Sequence, residues 1–529
     1  MRSRLLHESV VILCAAGALA GCTSGIRGTR PAPVPGVAPP PPAQTRASLR
    51  AAVDSMIASP EFRNAHWGVL IVRPEAAETL YSHNAHKLFL PASNQKLLTA
   101  AVALAQLGAD FRFRTAFAVR RPHAGPPVRD GVLQGDLVVV GRGDPTASDH
   151  LLGDAMRPLR AVADSLAARG VRRVAGRVVR GGDAFPDANH GYGWGWDDFD
   201  YAYSAGVDEL LFNEGFSRVA VRAGARPGAP ASAVAAPAPF PALHVAATTV
   251  PATPARGAGD LRADTGVSRS ATDLALTSDG ALGVRVTGTI AMGDSATLTV
   301  AHRDPAAAYL SALAVALRER GIVVDGGVDA SPAPAKAPDD APLDTLFTLD
   351  SPPLREILPA LQKPSQNQIA EVLLKTLGLE RTGVGSADSG RRVIESQLVA
   401  WGADPEGFAV RDGSGLSRHD YVSPETIVRV LDAMRRSPDF AAYHDALPVA
   451  GVDGTLAGRM RGTPAQGNVR AKTGYVDRAR SLSGYVRSAD GELLVFSFLC
   501  NNWTTPVKSV ERVQDAIASG LAGLPVKDQ

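Results

Sequence analysis

The chain has 529 residues, of which 45% are hydrophobic, and its 55 Lys+Arg against 53 Asp+Glu leave a formal net charge of +2. That length and apolar content predict about two to four domains with sizeable cores. The near-neutral balance, with no basic run, zinc-knuckle spacing or phosphate loop, argues against nucleic-acid and nucleotide binding. Lysine is scarce, with 8 lysines against 47 arginines. Any lysine kept in such a chain raises the question of whether its amine must lose a proton, which a guanidinium does not do in proteins.

In chain order, Arg2 and Arg4 precede an apolar stretch over residues 10–20, followed by Leu19-Ala20-Gly21-Cys22. This pattern predicts a signal peptide over residues 1–21. LAGC resembles the bacterial lipoprotein box, which implies cleavage before Cys22 and lipidation of its thiol. The expected destination is the periplasm or cell envelope, with a membrane anchor. Residues 22–45 include the proline-rich tract RPAPVPGVAPPPPAQ, an extended tether. Cys500 is then left without a disulfide partner and, inside the apolar run LLVFSFLC, is expected to be a buried small hydrophobe.

From residue 46 the pattern changes. Residues 49–62 have helical apolar spacing, 67–72 read as a strand, and 97–107 form an amphipathic helix that Gly108 stops. Pro91 places Ser93 at the start of that helix. Residues 113–342 consist of short valine- and threonine-rich runs broken by glycine and proline, which predicts mostly β structure. Within them, 226–256 reads as an Ala/Pro-rich excursion with little regular structure, and 306–320 as a helix. Helices are predicted again over 354–362, 366–377, 390–401 and 424–435, followed by a hairpin of 481–487 and 493–499 around Ala489-Asp490-Gly491. The expected fold class is α+β: one domain assembled from residues 46–112 and 345–529, interrupted by a β-rich insertion over 113–344.

Ser93 precedes Lys96 by three residues, so both lie on one helix face. A serine hydroxyl needs a base to become a nucleophile. Lysine is a candidate only when neutral, and an unperturbed amine near pKa 10.4 is about 0.04% neutral at pH 7, a deficit of roughly 4.6 kcal/mol. Burial or a second cation would remove that deficit. Lys472, in the strand-like stretch VRAKTGY, can supply the second cation, with Thr473 offering a hydroxyl and Gly474 a close approach to backbone. Ser365 and Asn367 precede a helix in KPSQNQIAEVLL. Ser365 is the candidate proton relay and Asn367 the candidate ligand of a substrate amide. The competing role for Ser93 is a plain helix cap.

The set SNQK (93–96), SQN (365–367) and KTG (472–474) resembles the penicillin-recognising acyl-serine enzymes. The large insertion, LQKPSQNQIAEVLLKTLG, DGSGLSR, GDLVVVGRGDPT and GWGWDDFDYAYSAG are similar to the D-alanyl-D-alanine carboxypeptidase/endopeptidase family of class C low-molecular-mass penicillin-binding proteins, peptidase family S13. The resemblance implies a five-stranded antiparallel sheet flanked by helices, as in transpeptidase domains and β-lactamases. It implies attack by Ser93 on the penultimate D-alanine carbonyl of a peptidoglycan stem peptide, D,D-endopeptidase action as an additional activity, and acylation by β-lactams. It also implies an oxyanion hole from the N–H groups of Ser93 and Tyr475, a position where the family more often has threonine. Asp197 and Arg418 match residues that hold the amine and carboxylate of a diamino acid, with Asp198 and Asp200 as alternatives to Asp197. No cofactor or metal is expected.

Other readings carry less. Arg142-Gly143-Asp144 fits an Asp-Pro turn better than an adhesion motif, His83 and His86 fit a solvated loop better than a metal site, and Trp194 and Trp196 fit either a cleft lining or a local core. The alternatives to a carboxypeptidase are a β-lactamase or esterase on the same scaffold and a non-catalytic peptidoglycan-binding envelope protein.

Overall fold

The computed structural model describes residues 45–120, 125–238, 240–252, 272–279, 283–331 and 343–527. The expected signal peptide and Cys22 lie outside the described residues.

Two distant stretches of chain build the central sheet. Its strand order is Glu78–His83, His66–Arg73, Leu493–Asn501, Ala479–Arg487 and Arg470–Val476, each pair antiparallel. Both faces of this sheet are covered, which is why its strands read as nearly continuous apolar runs. Val69, Ile71, Phe496 and Phe498 point to one face, where Leu49 and Val53 of the helix Arg46–Ile57 and Val510, Ile517 and Leu521 of the helix Val507–Gly523 close the core. Leu70, Val495 and Leu499, offset by one residue, point to the other. There they meet the helices Gln95–Leu107, Leu354–Gln362, Asn367–Thr382, Ala387–Ala400 and Pro424–Arg435. The alternation follows the two-residue period of a strand.

The intervening chain leaves through the strand Arg114–Arg120 and returns through Asp344–Asp350, its antiparallel neighbour, with Arg114 opposite Asp350. Because the two ends meet, the insertion does not distort the domain that carries it. These two strands belong to a mixed five-stranded sheet with Asp136–Val140, Val178–Arg180 and Val328–Asp329. The helices Arg157–Ala168 and Pro305–Glu319 pack on it through Leu159, Val162, Leu166, Leu310, Leu313 and Leu317. A further core, with Val219, Val221, Val286 and Ile290, lies within two smaller sheets.

Two local expectations differ from the structure, and one element carried no expectation. Residues 226–256 contain the strands Ser232–Ala236, Ala242–Val245 and Thr248–Val250, whose partners lie in separate segments. The helix Arg157–Ala168 interrupts the β-rich texture, and the chain ends in the long helix Val507–Gly523. Cys500 is a buried free thiol, and burial pushes its pKa up.

Phe498 is fully buried in the central strand and stacks on Phe496 at 4.6 Å. Replacing it by alanine is expected to cost about 3–5 kcal/mol, measurable as a lowered midpoint of urea unfolding.

Candidate active site

Pro91 ends the approach to the helix Gln95–Leu107, and Ala92, which opens the turn Ala92–Asn94, takes a left-handed φ of 48°. Ser93 makes no side-chain cap in this turn. Its Oγ lies 2.9 Å from Lys96 Nζ instead. Lys96 Nζ is also 2.6 Å from Asn367 Oδ1 and 2.6 Å from the Ser414 carbonyl oxygen. A neutral amine has two hydrogens and one lone pair. Two carbonyl-type acceptors and one hydroxyl match that valence, with the lone pair left for the Ser93 hydroxyl.

Lys96 is fully buried, and burial lowers its pKa to about 7 against the opposing charges of Asp412, Glu371 and Asp420. Lys472 is equally buried, and burial, then the charges of Lys96 and Arg480, hold it well below the usual lysine range. Lys472 is thus itself driven towards its neutral form, and the lowering at Lys96 comes from loss of water rather than from the second charge expected there.

The strand Arg470–Val476 is the sheet edge beside Ser93. Lys472 Nζ contacts Ser365 Oγ at 2.8 Å, and Asn94 Nδ2 donates to the Lys472 carbonyl at 2.8 Å, tying the serine turn to this strand. Ser365 has a left-handed φ of 69°. Gly474 is required by space: a Cβ there would clash with Ser481 Oγ and stand 2.8 Å from the Pro91 carbonyl oxygen and 2.9 Å from Ser93 N. The Ala471 N–H donates outward, to the Pro448 carbonyl across the edge. Strand alternation then turns the N–H of Thr473 and Tyr475 to that same edge. The Thr473 hydroxyl donates to Thr455 Oγ1 at 2.7 Å, and the Tyr475 ring is partly exposed, 5.5 Å from the Arg480 guanidinium.

Sequence reasoning missed three buried carboxylates behind Lys96. Glu371, one turn after Asn367 on the same helix, accepts the N–H groups of Gly413 (3.1 Å) and Ser414 (2.8 Å). It thereby holds the carbonyl that faces Lys96. Asp412 accepts the N–H groups of Ser414, Gly415 and Ser417, and Asp420 those of Arg411 and Asp412. Burial and the charge of Asp412 push the Glu371 and Asp420 carboxyls up. The available signal was Glu371 itself, a carboxylate set within the apolar run IAEVLL of this helix.

The insertion reaches this site through its 193–206 loop. Trp194 is buried and donates its Nε1 hydrogen to Asp412 at 2.8 Å, whereas Trp196 is 84% exposed. Asp197 lies in the turn Trp196–Asp198 of this loop. Arg418 donates to the Asp477 carbonyl at 2.6 Å, just beyond the Lys472-bearing strand. Neither side chain contacts the Ser93–Lys96 pair. Asp200 pairs with Arg303 (2.8 Å), and Asp198 accepts from Tyr203. Asn367 Nδ2 donates to the Tyr203 carbonyl at 2.7 Å, so both ends of the amide expected to meet substrate already have protein partners. Away from the cleft, Asp144 is half-buried and accepts from Thr146, and His86 pairs with Glu425 at 2.5 Å.

The sequence profile of the D-Ala-D-Ala carboxypeptidase 3 (S13) family matches residues 49–523. A D-alanyl-D-alanine carboxypeptidase of Actinomadura sp. (strain R39) is 37% identical over 490 residues, 90% of this chain and 84% of that protein. The D-alanyl-D-alanine carboxypeptidase DacB of Haemophilus influenzae is 26% identical over 435 residues, 81% of this chain and 84% of that one. The crystal structure of penicillin binding protein 4 (dacB) from Haemophilus influenzae shares the fold with a TM-score of 0.72 at 24% identity, covering 89% of this chain and 97% of the other. The chain therefore belongs to the D-Ala-D-Ala carboxypeptidase 3 (S13) family and has its penicillin-binding-protein fold.

Proposed function

We propose that this D-alanyl-D-alanine carboxypeptidase works through an acyl-enzyme on Ser93, releasing the terminal D-alanine of peptidoglycan stem peptides. The observation that carries the reading is the Lys96 amine, 2.9 Å from Ser93 Oγ with its two other contacts on carbonyl oxygens. Ser93 attacks the penultimate D-alanine carbonyl as its proton passes to Lys96. Negative charge developing on the carbonyl oxygen is met by the N–H groups of Ser93 and Tyr475; each such aimed donor contributes about 2.7–4 kcal/mol. The C–N bond breaks, and the proton that Lys96 took from Ser93 passes through the Ser365 hydroxyl, 2.8 Å from Lys472 Nζ, to the leaving nitrogen, which returns Lys96 to the neutral amine. Water then hydrolyses the ester, with Lys96 again as base. If the leaving nitrogen belongs to a second stem peptide, the same steps cut a D,D cross-link.

Penicillin traps the same serine, because its lactam carbonyl accepts the attack and its leaving nitrogen stays tethered. A β-lactam complex of the Haemophilus influenzae protein has the same fold with a TM-score of 0.67, which supports this reading. In this reading Asp197 and Arg418 supply opposite charges for the zwitterionic end of a diamino acid. Thr473 and Gly474 contribute a hydroxyl and a close backbone approach beside Lys472. Among the described residues no helix is long and apolar enough to cross a membrane. We propose that lipidated Cys22 anchors the exported chain in the cell envelope.

Intact-mass measurement after incubation with benzylpenicillin tests the nucleophile. One adduct is expected on the wild type and none on Ser93→Ala. Lys96→Met, which removes the base while keeping the bulk, should slow D-alanine release from a synthetic stem peptide by about 10²–10⁴-fold.

The pH dependence has a definite sign. Ammonium cannot accept the serine proton, so kcat/KM should rise with pH through about 7, where burial places Lys96, and fall about tenfold per pH unit below it. A flat profile between pH 5 and 8 would count against Lys96 as base.

In Gly474→Ala the added methyl must push the edge strand away from the Ser93 backbone. Acylation by penicillin should slow by about 10²-fold, while the unfolding free energy drops by only about 1–3 kcal/mol.

A further inference from the structure

Three consecutive side chains, two in the second motif and one just after it, grip the insertion. Gln366 Nε2 donates to Glu214 Oε2 at 2.6 Å, Asn367 Nδ2 to the Tyr203 carbonyl at 2.7 Å, and Gln368 Nε2 to the Ala205 carbonyl at 2.9 Å. The middle one, Asn367, turns its other end, Oδ1, to Lys96 at 2.6 Å. An amide that donates through Nδ2 on one side has only its oxygen for the other. The partner in the insertion thus decides which atom Lys96 meets.

Glu214 is built for this place. It is buried, and its second oxygen accepts the Ser148 hydroxyl at 2.7 Å. Ser148 Oγ in turn accepts the N–H groups of His150 and Leu151. Asn213 and Glu214 both have left-handed backbone, with φ of 47° and 57°, a conformation that non-glycine residues keep only where the surroundings enforce it. Asn213 is fixed by its N–H to the Ala147 carbonyl (2.6 Å) and by its Nδ2 to the Phe216 carbonyl (2.9 Å). On the other side, Gln366 Oε1 accepts the N–H of Gln368 at 2.6 Å, so the residue held by Glu214 also caps the helix that carries Asn367 and Glu371.

We propose that Glu214, acting through Gln366, is a positioning residue of the reaction, by which the insertion sets the amide of Asn367 so that its oxygen faces Lys96. This rests on the acyl-serine reading above. If the pin is lost and the amide turns, an N–H of Asn367 faces the Lys96 lone pair in competition with the Ser93 hydroxyl. Acylation slows, and the ammonium loses an acceptor. Losing an acceptor disfavours the charged form, so the acidic limb of the rate profile moves to lower pH.

The test is a swap. Gln366→Glu alone sets two carboxylates against each other where Gln366 and Glu214 now bond. Glu214→Gln in the same chain restores one donor and one acceptor, with the new amide oxygen left for Ser148 and the new carboxylate for the helix cap. Rate constants for acylation by a fluorescent penicillin are measured from pH 5 to 9, with the labelled fraction at completion read by intact mass. Gln366→Glu is expected to acylate about 10–100-fold more slowly at the plateau, with its acidic limb displaced downward and nearly all chains finally labelled. The double variant should return to within about threefold of wild type, by the same coupling logic. The proposal is overturned if Gln366→Glu keeps the wild-type rate and limb, if its loss only mirrors a smaller labelled fraction, or if the swap does not rescue a folded protein. Failure of the acyl-serine reading is distinguishable, because the wild type itself would then take no label.

Discussion

Lys96 Nζ has three neighbours, Ser93 Oγ, Asn367 Oδ1 and the Ser414 carbonyl oxygen, and none is a carboxylate. A carboxylate at that distance would keep the amine charged and useless as a base. The three acids that surround it act one step removed. Glu371 and Asp412 hold the backbone of the 412–417 loop through N–H groups. Their charges oppose burial without cancelling it, and the balance brings Lys96 to about 7. Arginine could not replace it, because its guanidinium does not give up a proton in this range.

Keeping water from that amine requires groups far apart in the chain to close on it. Ser93 and Lys96 arrive on an early helix, Asn367 and Glu371 on a later one, Ser414 on a loop and Lys472 on a strand near the C-terminus. The sheet makes this convergence obligatory, since the strands at 66–83 pair with those at 470–501. Register is strict because both faces are buried. A slip of one residue in Arg470–Val476 would exchange the faces of Lys472 and Thr473 and set a side chain where Gly474 now passes Ser93.

What was legible in the sequence was what local physics controls. Leu354–Gln362 and Pro424–Arg435 have the bounds their apolar periodicity predicts, and the hairpin of Ala479–Arg487 with Leu493–Asn501 follows from its turn. The strands within 226–256 escaped because alanine and proline carry no β signal; their pairing comes from neighbours such as Phe216–Arg222 and Gly283–Ala291. Glu371 and Asp412 escaped because acidic residues ordinarily belong to the surface, and only the folded loop supplies the N–H groups that let them be buried. The bond of Gln366 to Glu214 joins residues 152 apart in the chain, a distance over which no periodicity speaks.

Among the described residues, four of the ten non-glycine residues with positive φ lie at these places. Ala92, before the nucleophile, Ser365, at the relay, and Asn213 and Glu214, at the pin from the insertion, all have positive φ. Each costs on the order of 1–3 kcal/mol and persists only where surrounding structure over-determines it. Here that structure is the pair of cores on either face of the sheet, together with the grip of residues 366–368 on the insertion. An insertion that enters and leaves by adjacent strands is free, by topology, to move as a separate body. Its bonds to the three successive residues 366–368 remove that freedom at the one point where a rotation of an amide would change what Lys96 meets.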